Sequence, residues 1–208
     1  MKQQTPEWFA ARLGKATGSR ISDIVAKTKT GYAASRDDYM FQLVVERLTG
    51  INTVSFSSPA MQWGVDQEEY ARSAYEAHMG VLVTEVGSID HPRIAMSSAS
   101  PDGLVGGDGE GMVEIKCPMT KNHLNMFLGQ PIAKVYKDQM MWQMAVTGRK
   151  WVDYVSFDPR CPAGLQLFIQ TVERDNEYIA ALEFEVIKFL DEVEIKEKEL
   201  RRILESKI

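Results

Sequence analysis

The segment Met112-Val113-Glu114-Ile115-Lys116-Cys117 constrains the chain more than any other stretch, and it is entered through a turn with five glycines among residues 103–111. Side chains alternate across a strand with a period of two. Val113, Ile115 and Cys117 are therefore expected to point into a core, and Glu114 and Lys116 to point together at the opposite face. An acid and a lysine on one face have two readings. One is an edge strand with a solvated face. The other is a metal site in which Glu114 is a hard oxygen ligand and Lys116 stands beside the reacting water.

The turn begins Ser100-Pro101-Asp102-Gly103, so Asp102 ends the preceding strand and can face the same side as Glu114. Two carboxylates at the ends of adjacent strands suit a hard divalent cation such as Mg²⁺. The spacing is Pro-Asp, eleven residues, then Glu-x-Lys. As a bare pattern this is weak, and its placement on strand, glycine turn and strand is what strengthens it. Glu68 or Glu69, on a helix that includes Trp63-Gly64, offers a third carboxylate, although a surface role suits Glu69 better. Gln139 and Gln143 lie one helical turn apart and share a face. A glutamine facing the site can position a water or a phosphate; facing away, it is polar surface.

The rest of the pattern indicates an α/β (α+β) chain with a central mixed β-sheet flanked by helices. Thr5 caps a short helix with Pro6 in its first turn, and a second short helix runs through Ile21, Ile24 and Val25. Residues 31–35 read as a loop. Asp37 or Asp38 starts a helix with Met40, Leu43, Val44 and Leu48 on its apolar face, stopped by Gly50. Ser58-Pro59 starts another, ending at Gly80. Strands are expected over 81–86, 88–97, 111–117, 151–157 and 165–172, and a helix over 131–146. A long helix over about 175–207 carries Tyr178, Leu182, Val186, Phe189, Leu190 and Val193 along one side. We expect one domain over residues 1–208 that includes this helix.

Composition excludes several classes. The 44% apolar content, with plentiful aromatics, excludes disorder as the main state. No run of about 18 apolar residues exists to span a membrane. Two cysteines cannot build a disulfide framework or a four-thiolate site. Residues 1–6 carry no apolar signal core, so a cytoplasmic protein is expected. The three histidines (His78, His91, His123) have no metal spacing. The net charge of −5 argues weakly against a simple nucleic-acid coat protein, but Arg12, Lys15, Arg20, Lys27 and Lys29 against Asp23 alone make the N-terminal stretch locally basic. A solvated face is one explanation of that stretch and a nucleic-acid contact another.

These residues together resemble the phage lambda exonuclease or YqaJ family of viral recombination nucleases, in the PD-(D/E)xK superfamily. The resemblance is carried by Trp8-x3-Arg12-Leu13-Gly14-x2-Thr17-x-Ser19, Trp63-Gly64-x3-Glu68, Ser100-Pro101-Asp102-Gly103-Leu104 and Glu114-Ile115-Lys116-Cys117-Pro118. Tyr136-x2-Gln139 and Phe157-Asp158-Pro159-Arg160 also match, all in the family's order. The resemblance implies a restriction-endonuclease-like core and a Mg²⁺-dependent exonuclease, with Mn²⁺ able to substitute. It implies digestion of one strand of duplex DNA from the 5′ end, processively, leaving a 3′ overhang for a single-strand annealing protein. It also implies a homotrimeric ring around DNA, encoded by a phage or prophage and working in the bacterial host's cytoplasm. By position, Asp102 and Glu114 are metal ligands assisted by the Ile115 carbonyl and Glu68; Lys116 is the catalytic lysine and Gln139 supports the site. Arg12, Thr17 and Ser19 match a pocket for the 5′-terminal phosphate, and Met61 an apolar wedge at the strand fork. The family's glutamine motif often continues to a tyrosine where this chain has Gln143. Alternatives are another superfamily nuclease (RecB-like, or an endonuclease), a catalytically silent DNA-end-binding module, and a structural trimer component whose acidic C-terminal helix is the functional part.

Overall fold

The computed structural model describes residues 2–53, 58–106 and 109–207; Gly107 and Asp108, within the expected glycine-rich turn, lie outside the described residues. In chain order the elements are α1 (Pro6–Arg12), β1 (Ala16–Thr17), α2 (Ile21–Val25), β2 (Lys27–Thr28), β3 (Gly31–Tyr32), α3 (Ala34–Thr49) and α4 (Pro59–Met79). Then come β4 (Val83–Thr84), β5 (Ile89–Asp90), β6 (Ser97–Ala99), β7 (Gly103–Val105) and β8 (Gly111–Lys116). The remainder is α5 (Thr120–Phe127), α6 (Lys134–Thr147), β9 (Trp151–Phe157), β10 (Leu167–Glu173) and α7 (Asn176–Glu205).

Five strands form a mixed sheet in the order β10-β9-β8-β7-β4, with β8 and β9 parallel and the other pairs antiparallel. A parallel pair needs a crossover, and α5 with α6 supplies it. A smaller sheet runs β1-β6-β5, with β1 parallel to β6, and β2 with β3 forms a hairpin.

Strand β8 is buried on both faces. Met112 joins a core with Met140, Met144, Val152, Tyr154 and the apolar stripe of α7, whereas Val113 and Ile115 join Ala71 and Tyr75 of α4 on the other side. The expected alternation is present, but the face carrying Glu114 is not solvated: Glu114 is 0% exposed. Helices therefore cover both faces, and the buried carboxylate lies against α6.

The helix ends follow their sequence signals. Thr5, Ser58 and Asp175 each accept from a backbone N–H of the first turn, at 3.3, 3.2 and 3.0 Å. Gly50 and Gly80 close α3 and α4 in the left-handed region, at φ 70° and 67°. Helix α7 buries Ile179, Leu182, Val186, Phe189, Leu190 and Val193, one side of the helix as its spacing requires.

Several boundaries differ from the sequence expectation. Helix α3 starts at Ala34, and its early residue Arg36 is 4% exposed, forked onto Glu192 of α7 at 2.6 and 3.1 Å. This tertiary pair extends the helix past the local Asp start signal. The expected loop over 31–35 holds β3 and the start of α3, and the expected strand over 88–97 breaks into β5 and β6. Pro131 lies before α6 rather than within it, and α5 was not foreseen.

Candidate active site

The chemistry-bearing residues converge where β8 ends. Glu114 points at α6, where Gln139 Nε2 donates to its Oε1 at 2.7 Å and Gln143 Nε2 donates to its Oε2 at 2.6 Å. Lys116, two residues on and hence on the same face, donates from Nζ to Oε1 and lies 5.2 Å from the Tyr136 ring centre. Desolvation works against the Lys116 ammonium, but Glu114 and Asp102 outweigh it, so its pKa lies above the ordinary lysine value. As an ammonium it donates hydrogen bonds and accepts none.

Asp102 sits in the turn between β6 and β7 and accepts from the Ile115 N–H at 2.7 Å. The N–H and C=O of one strand residue point to the same edge, so the Ile115 carbonyl faces the edge occupied by Asp102. Burial pushes the Asp102 carboxyl well above the usual carboxylate range; Glu114 and, less strongly, Glu68 push the same way, while Lys116 and the Ile115 N–H oppose them.

Glu68 projects from α4 into a cleft of about 420 Å³ whose lining includes Met61, Asp102, Ile115, Lys116 and Tyr136. Arg72 holds Glu68 at 3.1 Å, and desolvation raises its pKa. Met61, 53% exposed, stands at the rim of this cleft. Glu69 is exposed. On the other side of Asp102 lies a smaller cavity of about 140 Å³, lined by Gln3, Trp8, Arg12, Gly18, Ser19, Ser100, Gln139 and Gln143. The Arg12 guanidinium lies 4.0 Å from the Trp8 ring centre and donates to Ser100 Oγ at 3.0 Å. Burial lowers its pKa.

Thr17 is placed differently from Arg12 and Ser19. It is 6% exposed, its N–H donates to the Tyr39 hydroxyl at 3.0 Å, and its Oγ1 is 3.4 Å from that hydroxyl. The locally basic N-terminal stretch is also largely internally paired. Lys15 meets Asp90 at 2.6 Å, Arg20 meets Asp23 at 2.5 Å and Lys27 meets Glu185 at 2.7 Å. Among its five bases Arg12 is the one that lines a cavity beside Asp102.

Gln143 emerges as a partner of Glu114 that the sequence pattern left open. Its signal was the four-residue spacing from Gln139 among otherwise apolar neighbours. His123 bonds Ser156 at 2.8 Å and the Leu165 carbonyl at 2.7 Å, and His91 lies 3.2 Å from Glu183, so both are buried polar anchors within the fold. Burial pushes the Cys117 thiol up to about 12, so it is not a nucleophile near neutral pH.

Among the described residues no group of three or more His, Cys, Asp and Glu side chains is gathered closely enough to hold a metal ion. The donor set at the head of the cleft nevertheless fits a hard divalent cation. It consists of oxygens alone, the Asp102 and Glu114 carboxylates and a strand-edge carbonyl, and a bound cation would relieve the electrostatic cost that burial and Glu114 impose on Asp102.

The sequence model of the YqaJ-like viral recombinase domain matches residues 7–150. The chain belongs to this family. An alkaline exonuclease from Laribacter hongkongensis, LHK-Exo, is 47% identical; the match covers 98% of this chain and 100% of that one, with a TM-score of 0.90. A second structure of LHK-Exo, in complex with dAMP, matches equally well. A phage-related exonuclease from Haemophilus somnus 129PT shares the fold at 14% identity, with a TM-score of 0.67 over 91% of this chain and 96% of that one. No curated protein sequence matches the chain. Family membership is thus independent of the site geometry, and the mixed sheet with helices on both faces is a nuclease fold.

Proposed function

We propose that this family member is a Mg²⁺-dependent exonuclease of phage-type homologous recombination, with Mn²⁺ able to substitute. It digests one strand of duplex DNA from the 5′ end, processively, and leaves a 3′ single-stranded overhang for an annealing protein. The observation that carries the reading is that Asp102 and Lys116 line one cleft, with Lys116 bonded to the buried Glu114 behind it, in a chain 47% identical to an alkaline exonuclease. Residues 1–208 act as one nuclease unit, since the apolar stripe of α7 belongs to the same core as Met112 and Trp142.

In this reading Asp102, Glu114, the Ile115 carbonyl and Glu68 hold the cation. When bound, it polarises the scissile phosphate, acidifies a water and stabilises the leaving oxygen. Lys116 donates hydrogen bonds that orient the attacking water against the phosphate, and the Tyr136 ring lies 5.2 Å from its Nζ. Gln139 keeps Glu114 aimed. Arg12 grips the 5′-terminal phosphate, pre-oriented by Trp8 and Ser100, with Ser19 adding a hydroxyl. Thr17 acts on that pocket through Tyr39, fixing the short strand β1 from which Ser19 follows. Met61, on the exposed rim of α4, wedges the strands apart.

A homotrimeric ring on the DNA track supplies processivity, so tight binding at each step is unnecessary. The net −5 charge then limits non-specific adhesion. Among the described residues no helix is long and apolar enough to cross a membrane. The site of action is the cytoplasm of a bacterial host.

The test is digestion of linear duplexes phosphorylated at only one 5′ end, with the products sized over time in Mg²⁺ and in EDTA. Loss of one strand from the phosphorylated end, in Mg²⁺ alone, is expected. Cutting of circular DNA would indicate an endonuclease, and binding without cleavage in Mg²⁺ would indicate a silent end-binding module.

A further inference from the structure

Glu114 is wholly buried, and its two oxygens are treated differently. Oε1 receives both Gln139 and Lys116. Oε2 receives Gln143 at 2.6 Å. Gln143 is itself 1% exposed. Its amide orientation is fixed by the carboxylate, because the reversed amide would press a carbonyl oxygen against a carboxylate oxygen. In the orientation it adopts, its own Oε1 finds no hydrogen-bond partner among the described residues. The fold thus keeps an unsatisfied buried acceptor on an amide that lines the small cavity shared with Arg12, Ser100 and Gln139. An apolar side chain would pack there without that defect.

We propose that Gln143 is a positioning residue for the reaction: it holds Glu114 Oε2 so that the carboxylate keeps one rotational setting toward Asp102. This deepens the metal-dependent nuclease reading and rests on it. A neutral amide suits this task better than a cation. It orients the anion by a hydrogen bond to the charged form, and it leaves the anion's charge available to Lys116 and to a divalent ion. Gln139 and Gln143, one turn apart on α6, act as two teeth of one rigid comb. Without the second tooth, Oε1 remains held and Oε2 swings about it.

The experiment uses the full chain. Gln143→Met keeps the length and removes the donor. Wild type and variant are compared for digestion of a 5′-phosphorylated linear duplex across a Mg²⁺ series, and for calorimetric binding of Mg²⁺ without DNA. The expected result is a kcat loss of about 10- to 100-fold, the scale of one buried hydrogen bond to a charged group. The KM for DNA stays within about twofold, and the Mg²⁺ half-saturation rises in both the kinetic and the calorimetric measurement. A merely structural role does not split kcat from KM in this way. An unchanged kcat, a change confined to KM, or unmoved Mg²⁺ binding overturns the proposal. Should Gln143→Met fail to fold, Gln143→Glu serves at constant shape: it sets a carboxylate against Glu114, and retained kcat overturns the proposal. A wild-type chain that cleaves nothing in Mg²⁺ takes down the nuclease reading itself, which distinguishes that failure from the failure of the Gln143 role.

Discussion

Asp102→Asn is expected to make the metal-free protein more stable and inactive. The asparagine keeps an oxygen for the Ile115 N–H and removes a charge that burial, Glu114 and Glu68 all disfavour. At an effective dielectric near 20 a close pair of like charges repels by a few kcal/mol, and attraction to Lys116 opposes it, so the expected gain is about 1–2 kcal/mol. For a chain of this size that raises Tm by roughly 3–6 °C. The sign with pH follows from the raised Asp102 pKa. A carboxyl raised in the fold contributes its full stability below the unfolded value, and that contribution is lost as pH rises through the folded value. The advantage of asparagine is therefore absent below the unfolded carboxylate value and grows as pH rises above it. Saturating Mg²⁺ stabilises wild type by mass action and closes the gap. Differential scanning calorimetry in EDTA at acid and at alkaline pH, then at alkaline pH with Mg²⁺, measures all three effects. A variant less stable than wild type at alkaline pH in EDTA, or a gap that does not change with pH, refutes the reasoning.

Other substitutions separate the remaining roles. Lys116→Met is expected to lower kcat by at least about 10³-fold while Mg²⁺ affinity, read by calorimetry, stays or rises, since a competing cation is gone; a large loss of affinity would make the lysine structural. Arg12→Met is expected to slow digestion of 5′-phosphorylated ends by about 10- to 100-fold and to leave 5′-hydroxyl ends nearly unchanged. Equal losses on both ends contradict the pocket. Phe189→Ala, at a residue that is 0% exposed and stacked on Tyr39 at 5.6 Å, is expected to cost about 3–5 kcal/mol in urea denaturation, and a cost under about 1 kcal/mol would mean that α7 is not part of the core.

Much of this was legible in the residues, for reasons that differ by element. The caps of α1 and α4 are local chemistry, so Thr5 and Ser58 could be placed without a fold. Strand β9 was legible end to end because its apolar run is bounded by turn residues. The start of α3 was not, because Arg36 meets Glu192 some 156 positions away. The alternation of β8 was readable, but the burial of its polar face was not, since nothing local says that α6 will lie across it. The pairing of Lys15, Arg20 and Lys27 with acids was hidden for the same reason and removes much of the apparent basic patch. Thr17 shows a further limit: motif position put it in the phosphate pocket, and packing put it on Tyr39. Gln143 was visible as a helical neighbour of Gln139, yet only the approach of Glu114 gives that amide a partner.

The most direct test is crystallographic. Crystals of the wild-type chain soaked in Mn²⁺, with data collected at the manganese edge, are expected to show an anomalous peak between the Asp102 and Glu114 carboxylates, within bonding distance of both and beside the Ile115 carbonyl. A map with no peak there, or with its peak at residues remote from both carboxylates, contradicts the account.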